Sequence, residues 1–383
     1  MKQLLVIFLL SASAILLSCN LNESGSDLLV DMNKDVEITA ENFKFRVDTL
    51  AVGLKNPWGM AFLPNGDLLV TERPGSIRVI RDDKLLSEKI TGVPEVFAVG
   101  QGGMFEIKLH PDYENNGWLY ITYAAVNGTG GNTAIMRAKL DGFNLIEKEK
   151  IFQAVPNRTG GRHFGGHMEF DNKGYLYVSV GERGHRPSAQ TLSNHSGKIL
   201  RLNDDGSVPS DNPFVSENDV KPEIFAYGNR NPQGMVVHPT TGEIWTHEHG
   251  PMGGDEINIV QPGANYGWPE VTYGLNYDGT IITDVTTRED VADPLHYWTP
   301  SIAPCGMEFV TSDQFFPWNG NLLVGSLKFR YIARLELDGE KVVKEEKLVE
   351  DLGRVRSILQ GPDGLIYVSV ESPGMVLRFV PNN

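Results

Sequence analysis

The segment Gly228–Trp268 reads GNRNPQGMVVHPTTGEIWTHEHGPMGGDEINIVQPGANYGW, a pattern typical of a β-hairpin with polar ends. Met235–Val237 and Glu243–His247 are rich in β-branched, aromatic and other apolar residues, which favours strands. Pro239–Gly242 lies between these two runs and consists of residues common in turns. The segment therefore predicts two antiparallel strands joined by a short turn.

Polar groups stand at both ends of this predicted hairpin. Arg230, Asn231 and Gln233 crowd around a proline directly before the first strand. Gly250–Gly254 follows the second strand and has almost no side chain, so its backbone carbonyls are exposed as hard oxygen ligands of the kind that Ca²⁺ takes. A carboxylate, Glu256, comes soon after. An ordinary loop-rich hairpin with a polar rim explains this segment equally well, so the rest of the chain must decide.

The same plan of an apolar strand, a turn and a second apolar strand recurs along the chain. Asn-Gly or Asp-Gly stands at several of the turns, which favours tight hairpins. No comparable stretch shows the 3.6-residue period of a long amphipathic helix. The six copies begin at Asn56, Gln101, Phe164, Asn231, Pro304 and Arg354.

Six similar hairpins predict an all-β fold, the six-bladed β-propeller, because radial repetition leaves only short, protected sheet edges. Two consecutive β-sandwiches are the rival fold, but no linker or break in composition separates the hairpins. Strands within Phe45–Val52 and Met375–Val380 are expected to share one blade and close the ring. In a propeller, the loops that enter the first strand of each blade meet at one mouth of the central channel.

Composition and charge narrow the range of ligands expected for this chain. The 383 residues include 41 Gly and 22 Pro, as expected for many short strands and turns. The formal net charge of −15 argues against nucleic acid as a partner. A dinucleotide cofactor is not expected either, because no GxGxxG motif follows a strand and opens a helix.

The N-terminus has the pattern of an exported lipoprotein. Residues 1–18 resemble a signal peptide, and Cys19 stands where bacterial lipoproteins are cleaved and acylated; a plain secretory signal is the alternative. Residues 19–42 are polar and predict a flexible tether to a propeller domain at 43–383. The expected location is therefore periplasm-facing or at the cell surface, with the lipid as the membrane anchor. Cys305 is expected to be a small, buried, unpaired residue.

Basic and amide residues gather at the predicted mouth, although the chain as a whole is acidic. Most stand before or at the start of the first strand of a repeat. Cations that are brought together repel one another, so the cluster indicates an anionic ligand. Separate surface cations, each paired with a local carboxylate, are the alternative. The residues are Gln101, Arg162, His163, Arg230, Asn231, Gln233, Lys328, Arg354 and Arg356.

The motifs around these residues resemble those of a known family, the soluble glucose and aldose sugar dehydrogenases that depend on pyrroloquinoline quinone (PQQ). The resemblance covers almost all of residues 45–383 and extends over all six repeats. The family is built as six-bladed propellers with PQQ at the channel mouth. The motifs are GQGGMFEIKLHPDY (100–113), RHFGG (162–166), GNRNPQGM (228–235), EHGPMGGDEIN (248–258), PGANYGWP (262–269) and VGSLK (324–328).

The resemblance implies a quinoprotein that oxidises aldoses at the anomeric carbon to lactones. His163 would take the proton of the anomeric hydroxyl while a hydride passes to C5 of PQQ, and Arg230 would stabilise the charge on the reduced quinone. Ca²⁺ on the backbone oxygens of Gly250 and Pro251 would polarise the PQQ. The residues implied in cofactor binding are Gln101, Arg230, Asn231, Gln233, Lys328, Arg354 and Arg356, and those of a second, structural calcium site are Glu256 and Tyr266.

Two positions depart from the glucose enzymes of this family. Arg162 stands where they have an acidic residue, and His167 stands where they carry an arginine. The chain also has no long insertion of the sort that builds a glucose-specific pocket and a dimer interface. The preferred sugar and the electron acceptor therefore stay open, and a monomer is expected rather than a dimer.

Two other functions remain open. The pairs His163/His167 and His247/His249 could belong to a metal-dependent hydrolase or lactonase, although Gly165–Gly166 between the first two residues is incompatible with helical zinc-ligand spacing. A catalytically inactive propeller that binds sugars or proteins is the second alternative. Such a protein would need neither a base nor clustered cations, and this chain has both.

Overall fold

The computed structural model describes residues 36–41 and 43–382. The predicted signal peptide 1–18, the lipidation site Cys19 and the first part of the predicted tether lie outside the described residues, so they stay predictions. Among the described residues, no helix is both long and apolar enough to cross a membrane.

The described chain is almost entirely strand and loop. The strands of its first half are β1 (Val36–Ala40), β2 (Phe43–Val52), β3 (Pro57–Phe62), β4 (Leu68–Glu72), β5 (Ser76–Arg81), β6 (Lys84–Ile90), β7 (Met104–Leu109), β8 (Trp118–Asn127), β9 (Gly130–Asp141), β10 (Asn144–Gln153), β11 (Met168–Phe170), β12 (Leu176–Val180) and β13 (Lys198–Leu202). The strands of its second half are β14 (Ile224–Tyr227), β15 (Pro232–Val237), β16 (Ile244–Glu248), β17 (Asp255–Ile259), β18 (His296–Trp298), β19 (Pro304–Phe309), β20 (Leu322–Ser326), β21 (Ile332–Asp338), β22 (Lys341–Leu348), β23 (Val355–Gln360), β24 (Ile366–Val370) and β25 (Met375–Pro381). The short helices are α1 (Tyr113–Asn116) and two 3₁₀ helices, Arg186–Ala189 and Asp313–Trp318.

These strands form six antiparallel sheets, which confirms the predicted six-bladed β-propeller. Blades 1 to 5 are β3–β6, β7–β10, β11–β14, β15–β18 and β19–β22, each in chain order. Blade 6 has the order β1-β2-β25-β24-β23. The first strands of the blades contact one another in a closed cycle, from β3 through β7, β11, β15 and β19 to β23 and back to β3.

The ring is closed by the pairing of the two ends of the domain. Strand β2 pairs antiparallel with β25 from Phe45↔Pro381 to Val52↔Met375. The predicted sharing of one blade by N-terminal and C-terminal strands is therefore confirmed. Because the last blade is completed by the start of the chain, the propeller has no open seam that would expose a long strand edge.

The predicted boundary between tether and domain, placed at residue 43, is wrong. Val36–Ala40 forms strand β1, which pairs with β2 at the outer edge of blade 6. Its apolar residues Val36, Ile38 and Ala40 alternate with the exposed Glu37 and Thr39, and Ala40 is buried in the core of this blade. The alternation is hard to recognise in the sequence because the run is short and has polar flanks.

Large apolar side chains fill the space between neighbouring blades. In one example, Trp245 of blade 4 and Phe309 of blade 5 are both buried and meet edge to face, with 5.4 Å between ring centroids. Cys305 on β19 is fully buried and free, as expected from the sequence. Such packing holds the first strands firmly around the channel, so the loops at its mouth start from fixed positions.

Strand alternation decides which loops reach this mouth. Within a blade the strands are antiparallel, so the loop before the first strand and the loop after the second strand lie at the same end. Each blade therefore contributes two loops to the mouth. Most of the residues predicted from the sequence to lie at the mouth occupy the first of these two positions.

Candidate active site

A cavity of about 230 Å³ lies at the mouth of the channel. Loops from all six blades line it, and so five of the predicted cofactor-binding residues, which are far apart in sequence, come together. Those five are Gln101, Asn231, Gln233, Arg354 and Arg356. The other lining residues are Trp58, Arg73, Phe105, Phe164, Gly165, His249, Ala303, Leu327 and Glu371.

One wall of the cavity carries an excess of positive charge. Arg356 Nη2 donates to Glu371 Oε2 at 2.8 Å, and Arg354 Nε donates to the same oxygen at 3.3 Å. Arg73 Nη2 lies 3.9 Å from the other carboxylate oxygen. Burial opposes the ionisation of Glu371, but these arginines outweigh it and lower its pKa to about 2. Three guanidinium groups thus share one carboxylate, which leaves the wall cationic.

Amide side chains hold the floor of the cavity in place. Gln233 Nε2 donates to Gly165 O at 3.1 Å, and its Oε1 accepts from Arg356 Nη1 at 3.1 Å. Asn231 Oδ1 accepts from Gly165 N at 3.1 Å. The guanidinium carbon of Arg356 lies over Trp58, 5.7 Å from the centroid of the Trp58 ring. The site therefore combines flat apolar walls with fixed polar groups, as small-molecule sites do.

Beside the cavity, His163 and Glu182 form a buried pair. His163 Nδ1 and Glu182 Oε2 are 2.5 Å apart, and both side chains are nearly inaccessible to solvent. Burial lowers the pKa of His163 despite the neighbouring carboxylate, so its neutral form is favoured. Burial opposes the ionisation of Glu182, but the hydrogen bond with His163 outweighs it and lowers the pKa of Glu182. A neutral imidazole that donates from Nδ1 keeps a lone pair on Nε2, which can accept a proton.

The backbone of His163 is strained. Its φ is +53°, a region that non-glycine residues seldom adopt. Gln101 Oε1 accepts from His163 N at 2.8 Å, and Arg183 N donates to His163 O at 3.2 Å. Gly181 is required beside it, because a Cβ there would lie 2.2 Å from His163 O. Strain held in this way is typical of functional sites.

Arg230 lies next to this pair but outside the lining of the cavity. Its Nη1 donates to His249 O at 2.9 Å and to Gly250 O at 3.3 Å, and its guanidinium carbon is 5.3 Å from the ring centroid of Trp268. The backbone N of Arg230 donates to the buried carboxylate of Glu248. Arg230 therefore links the predicted base to the predicted calcium loop.

The loop that contains Gly250 and Pro251 has closely spaced backbone oxygens. A Cβ at Gly250 would lie 2.0 Å from Gly253 O, so only glycine fits there. Asp255 anchors the loop, since its Oδ1 accepts from Gly250 N at 2.8 Å. Burial raises the pKa of Asp255 to about 6. This donor set of carbonyl oxygens near a carboxylate suits a hard cation such as Ca²⁺.

The predicted structural calcium site contains a pair of buried carboxylates. Glu248 and Glu256 stand opposite each other on β16 and β17, and both are buried. Burial raises the pKa of Glu248 to about 7, and burial together with Glu248 raises the pKa of Glu256. Tyr266 is buried, and its hydroxyl donates to Ile259 O at 2.6 Å. Two buried carboxylates side by side are costly unless a cation accompanies them.

Lys328 is not brought into the cavity. Its side chain is exposed and its Nζ lies 4.9 Å from the ring centroid of Phe329, although the preceding Leu327 lines the cavity. Arg162 is exposed, and its charge contributes to the lowered pKa of His163, after burial and Arg230.

The histidines considered for a metal hydrolase have other partners in this structure. His167 Nδ1 lies 3.1 Å from Glu106 Oε2. His247 and His249 each contact a backbone oxygen through Nε2, at 3.3 Å and 2.7 Å. Within residues 36–41 and 43–382, no group of three or more His, Cys, Asp or Glu side chains is placed to hold a metal ion.

Three site residues were missed by the sequence analysis: Arg73, Glu182 and Glu371. They follow β4, β12 and β24 directly or after one glycine, so each lies after the second strand of its blade. The available signal was a charged residue just after an apolar strand, in TERPG, VGERG and VESPG. Antiparallel alternation places these positions at the same mouth as the predicted residues.

The chain is similar to known proteins over most of its length. The family model described as glucose/sorbosone dehydrogenase matches residues 54–378. Aldose sugar dehydrogenase YliI of Escherichia coli is 41% identical over 346 residues, which span 88% of this chain and 93% of that protein.

Solved structures give the same relationship. The apo-form of the soluble aldose sugar dehydrogenase from Escherichia coli has a TM-score of 0.85 and 39% identity, and the match covers 88% of this chain and 100% of that one. The PQQ-bound form of aldose sugar dehydrogenase from Streptomyces coelicolor has a TM-score of 0.72 and 26% identity, with 91% and 99% coverage. The chain therefore belongs to the glucose/sorbosone dehydrogenase family, which confirms both the predicted resemblance and the prediction of an oxidoreductase of the quinoprotein type.

Proposed function

We propose that the protein oxidises aldose sugars at the anomeric carbon to lactones, with PQQ as the electron-accepting cofactor and Ca²⁺ as its companion ion. One observation carries the proposal: a cationic, flat-walled cavity lies directly beside a buried imidazole–carboxylate pair. The first feature suits a planar polyanion and the second suits proton abstraction. A relative of known structure is named as PQQ-bound, which supports the choice of cofactor.

The residues of the cavity fit PQQ, which is a planar tricarboxylate. Among the described residues, Glu371 is the one carboxylate that pairs with Arg73, Arg354 and Arg356, so these arginines can still bind carboxylates of a ligand through charge-assisted hydrogen bonds. Arg356 Nε is buried without a hydrogen-bond partner in the described structure, which leaves a donor for the ligand. When bound, PQQ would supply the quinone that accepts the hydride of the sugar.

His163 would act as the general base. Glu182 holds Nδ1 as the donor, so Nε2 would take the proton of the anomeric hydroxyl. Glu182 also orients the imidazole and stabilises the imidazolium that forms. Its second contact, with Gly184 N at 2.8 Å, limits rotation of the carboxylate.

Arg230 would stabilise the negative charge that develops at the cofactor. The guanidinium of Arg230 already donates to the carbonyls of His249 and Gly250, so it is held beside the mouth. The carbonyls of Gly250 and Pro251 would hold Ca²⁺ there as a Lewis acid. Glu248 and Glu256 would hold a second, structural calcium, since both carboxylates are buried and adjacent.

Reconstitution tests this function. The protein purified without cofactor is expected to be nearly inactive, and PQQ with Ca²⁺ is expected to produce glucose-dependent reduction of an artificial electron-acceptor dye. Chelation of Ca²⁺ should remove this activity. The same protein with Ca²⁺ alone, assayed for lactone hydrolysis, is the control for the hydrolase alternative. Tight PQQ binding without sugar oxidation would favour an inactive binding protein, and folded protein that binds no PQQ would overturn the proposal.

A second expectation concerns Glu182 and the pH profile. Because burial lowers the pKa of His163, kcat/KM of the wild type should stay high below pH 6.5 and fall only as the imidazole becomes protonated at lower pH. Glu182→Gln removes a carboxylate that raises this pKa, so the acid limb should move to still lower pH. The maximal rate should drop roughly 10- to 100-fold, because the imidazole loses its orienting partner.

The measurement is kcat/KM from pH 4 to 9 for both proteins. Glu223→Gln is the matched control. Glu223 Oε2 lies 3.3 Å from Nε2 of the buried His195, and neither residue lines the cavity. An acid limb that moves to higher pH in Glu182→Gln would contradict this assignment.

A further inference from the structure

The long connection between β17 and β18, residues 260–295, and the loop before β17, residues 249–254, together carry an exposed apolar patch beside the active site. Met252 is 44% exposed, Leu275 40%, Tyr277 73% and Ile281 62%. Met252 N donates to Leu275 O at 3.2 Å, and Leu275 forms a β-bridge with Ile281, so these residues are neighbours. Contiguous exposed apolar side chains indicate a binding surface rather than ordinary solvent-facing loop.

Tyr277 reaches from this patch to the reaction centre. Its hydroxyl lies 3.4 Å from Arg230 Nη2. One residue earlier, Asn276 Oδ1 accepts from Arg186 Nη2 at 2.6 Å. The guanidinium carbons of Arg186 and Arg230 lie 5.2 Å and 5.3 Å from the ring centroid of Trp268. Arg186 and Arg230 thus share one indole, and the hydroxyl of the exposed Tyr277 contacts the guanidinium of Arg230.

The loop under Tyr277 is held in a defined shape. Asn276 N donates to Thr280 O at 2.9 Å, and the Asn276 side chain donates to Thr280 Oγ1 at 3.0 Å. Gly274 packs directly on the calcium loop, because a Cβ at this position would lie 2.4 Å from Gly253 O. The exposed ring is therefore presented by a rigid support, which lowers the entropic cost of binding.

We propose that Tyr277, Arg186 and Asn276 form a sugar subsite at the rim of the active site, outside the cofactor cavity. The apolar C–H face of an aldopyranose lies on the ring of Tyr277. The sugar hydroxyls accept hydrogen bonds from the N–H groups of Arg186 that Asn276 does not use. The subsite holds the sugar so that its anomeric carbon lies near Arg230 and His163. This inference rests on the proposed function, since it names residues that bind the substrate of that reaction.

Steady-state kinetics of the enzyme reconstituted with PQQ and Ca²⁺ test the subsite. Tyr277→Ala should raise KM for glucose roughly 3- to 10-fold, the scale of one aromatic contact, and leave kcat within about twofold. Tyr277→Phe keeps the aromatic face and should restore KM to the wild-type value. Phe316→Ala is the matched control, because Phe316 is equally exposed at 73% and follows the first strand of blade 5, at the opposite end of the propeller.

The outcomes separate this inference from the proposed function. A wild-type protein without PQQ-dependent sugar oxidation would overturn the proposed function and the subsite together. An active wild type whose Tyr277→Ala variant keeps its KM for glucose would overturn the subsite alone. A Tyr277→Ala variant that raises only the KM for the electron-acceptor dye would also overturn the subsite, since the rim would then bind the electron acceptor rather than the sugar. A KM for glucose that rises in Tyr277→Ala and recovers in Tyr277→Phe supports the subsite.

Discussion

Replacement of His163 by asparagine is expected to lower kcat of the reconstituted enzyme by roughly 10²- to 10⁴-fold, the usual contribution of a general base. The asparagine amide cannot accept the proton of the anomeric hydroxyl, because it is not basic near neutral pH. The backbone should tolerate the change, since φ at this position is +53° and asparagine adopts such angles more readily than most residues. The affinity for PQQ should stay unchanged, because His163 does not line the cofactor cavity.

Two quantities are measured: kcat, and the PQQ concentration that restores half of the maximal activity in a titration. His195→Asn is the matched control: His195 is also buried and paired with a glutamate, but it lies away from the cavity. The control should keep kcat near that of the wild type. If His163→Asn loses less than about tenfold in kcat, the base lies elsewhere. His249, which lines the cavity, would then be the next candidate.

Replacement of Arg356 by methionine is expected to raise the PQQ concentration for half-reactivation by about 10²- to 10³-fold. Methionine preserves much of the buried stem but removes the guanidinium that contacts Glu371, Gln233 and Cys305. A lost buried charge partner typically costs a few kcal/mol, and each 1.4 kcal/mol corresponds to a factor of about ten. Maximal activity at saturating PQQ should change less, because Arg356 binds the cofactor rather than the reacting sugar.

Loss of stability must be separated from loss of PQQ affinity. Arg356→Met leaves Glu371 with fewer cations, so the free energy of unfolding should fall as well. Arg334→Met provides the control. Arg334 is also buried, and its Nε donates to Glu346 Oε2 at 2.8 Å, but it does not line the cavity. Both variants should unfold at lower denaturant concentration, but only Arg356→Met should need more PQQ. Equal PQQ requirements in the two variants would refute a direct cofactor contact.

Local sequence patterns predicted most of the fold because each blade begins with a hairpin that is contiguous in the chain. Apolar runs flanking a turn are visible within about twenty residues, and six of them define the ring. Strand β1 escaped this reasoning, since five residues of weak alternation between polar segments give little signal. Its assignment depends on pairing with β2 and on the burial of Ala40 in blade 6.

The candidate site was predictable where its residues precede or begin a first strand, as Gln101, Asn231 and Arg356 do. The mouth is the common end of all first strands, so these positions must converge. Residues after second strands converge for the same reason, but few of the predicted site residues stand there. The orientation of a side chain was not predictable: Lys328 has the expected motif, yet its ammonium lies over Phe329 rather than in the cavity.

By itself, the sequence determined the number of blades, the positions of their hairpins and the family, because these depend on residues that are close along the chain. Only the tertiary structure decided which groups act together. Gln101 meets His163 across 62 residues, and Arg356 meets Gln233 across 123 residues. The pairing of His163 with Glu182 and the sharing of Glu371 by three arginines arise in the same way. Such contacts depend on the closure of the ring, which sets distances in space that no local pattern contains.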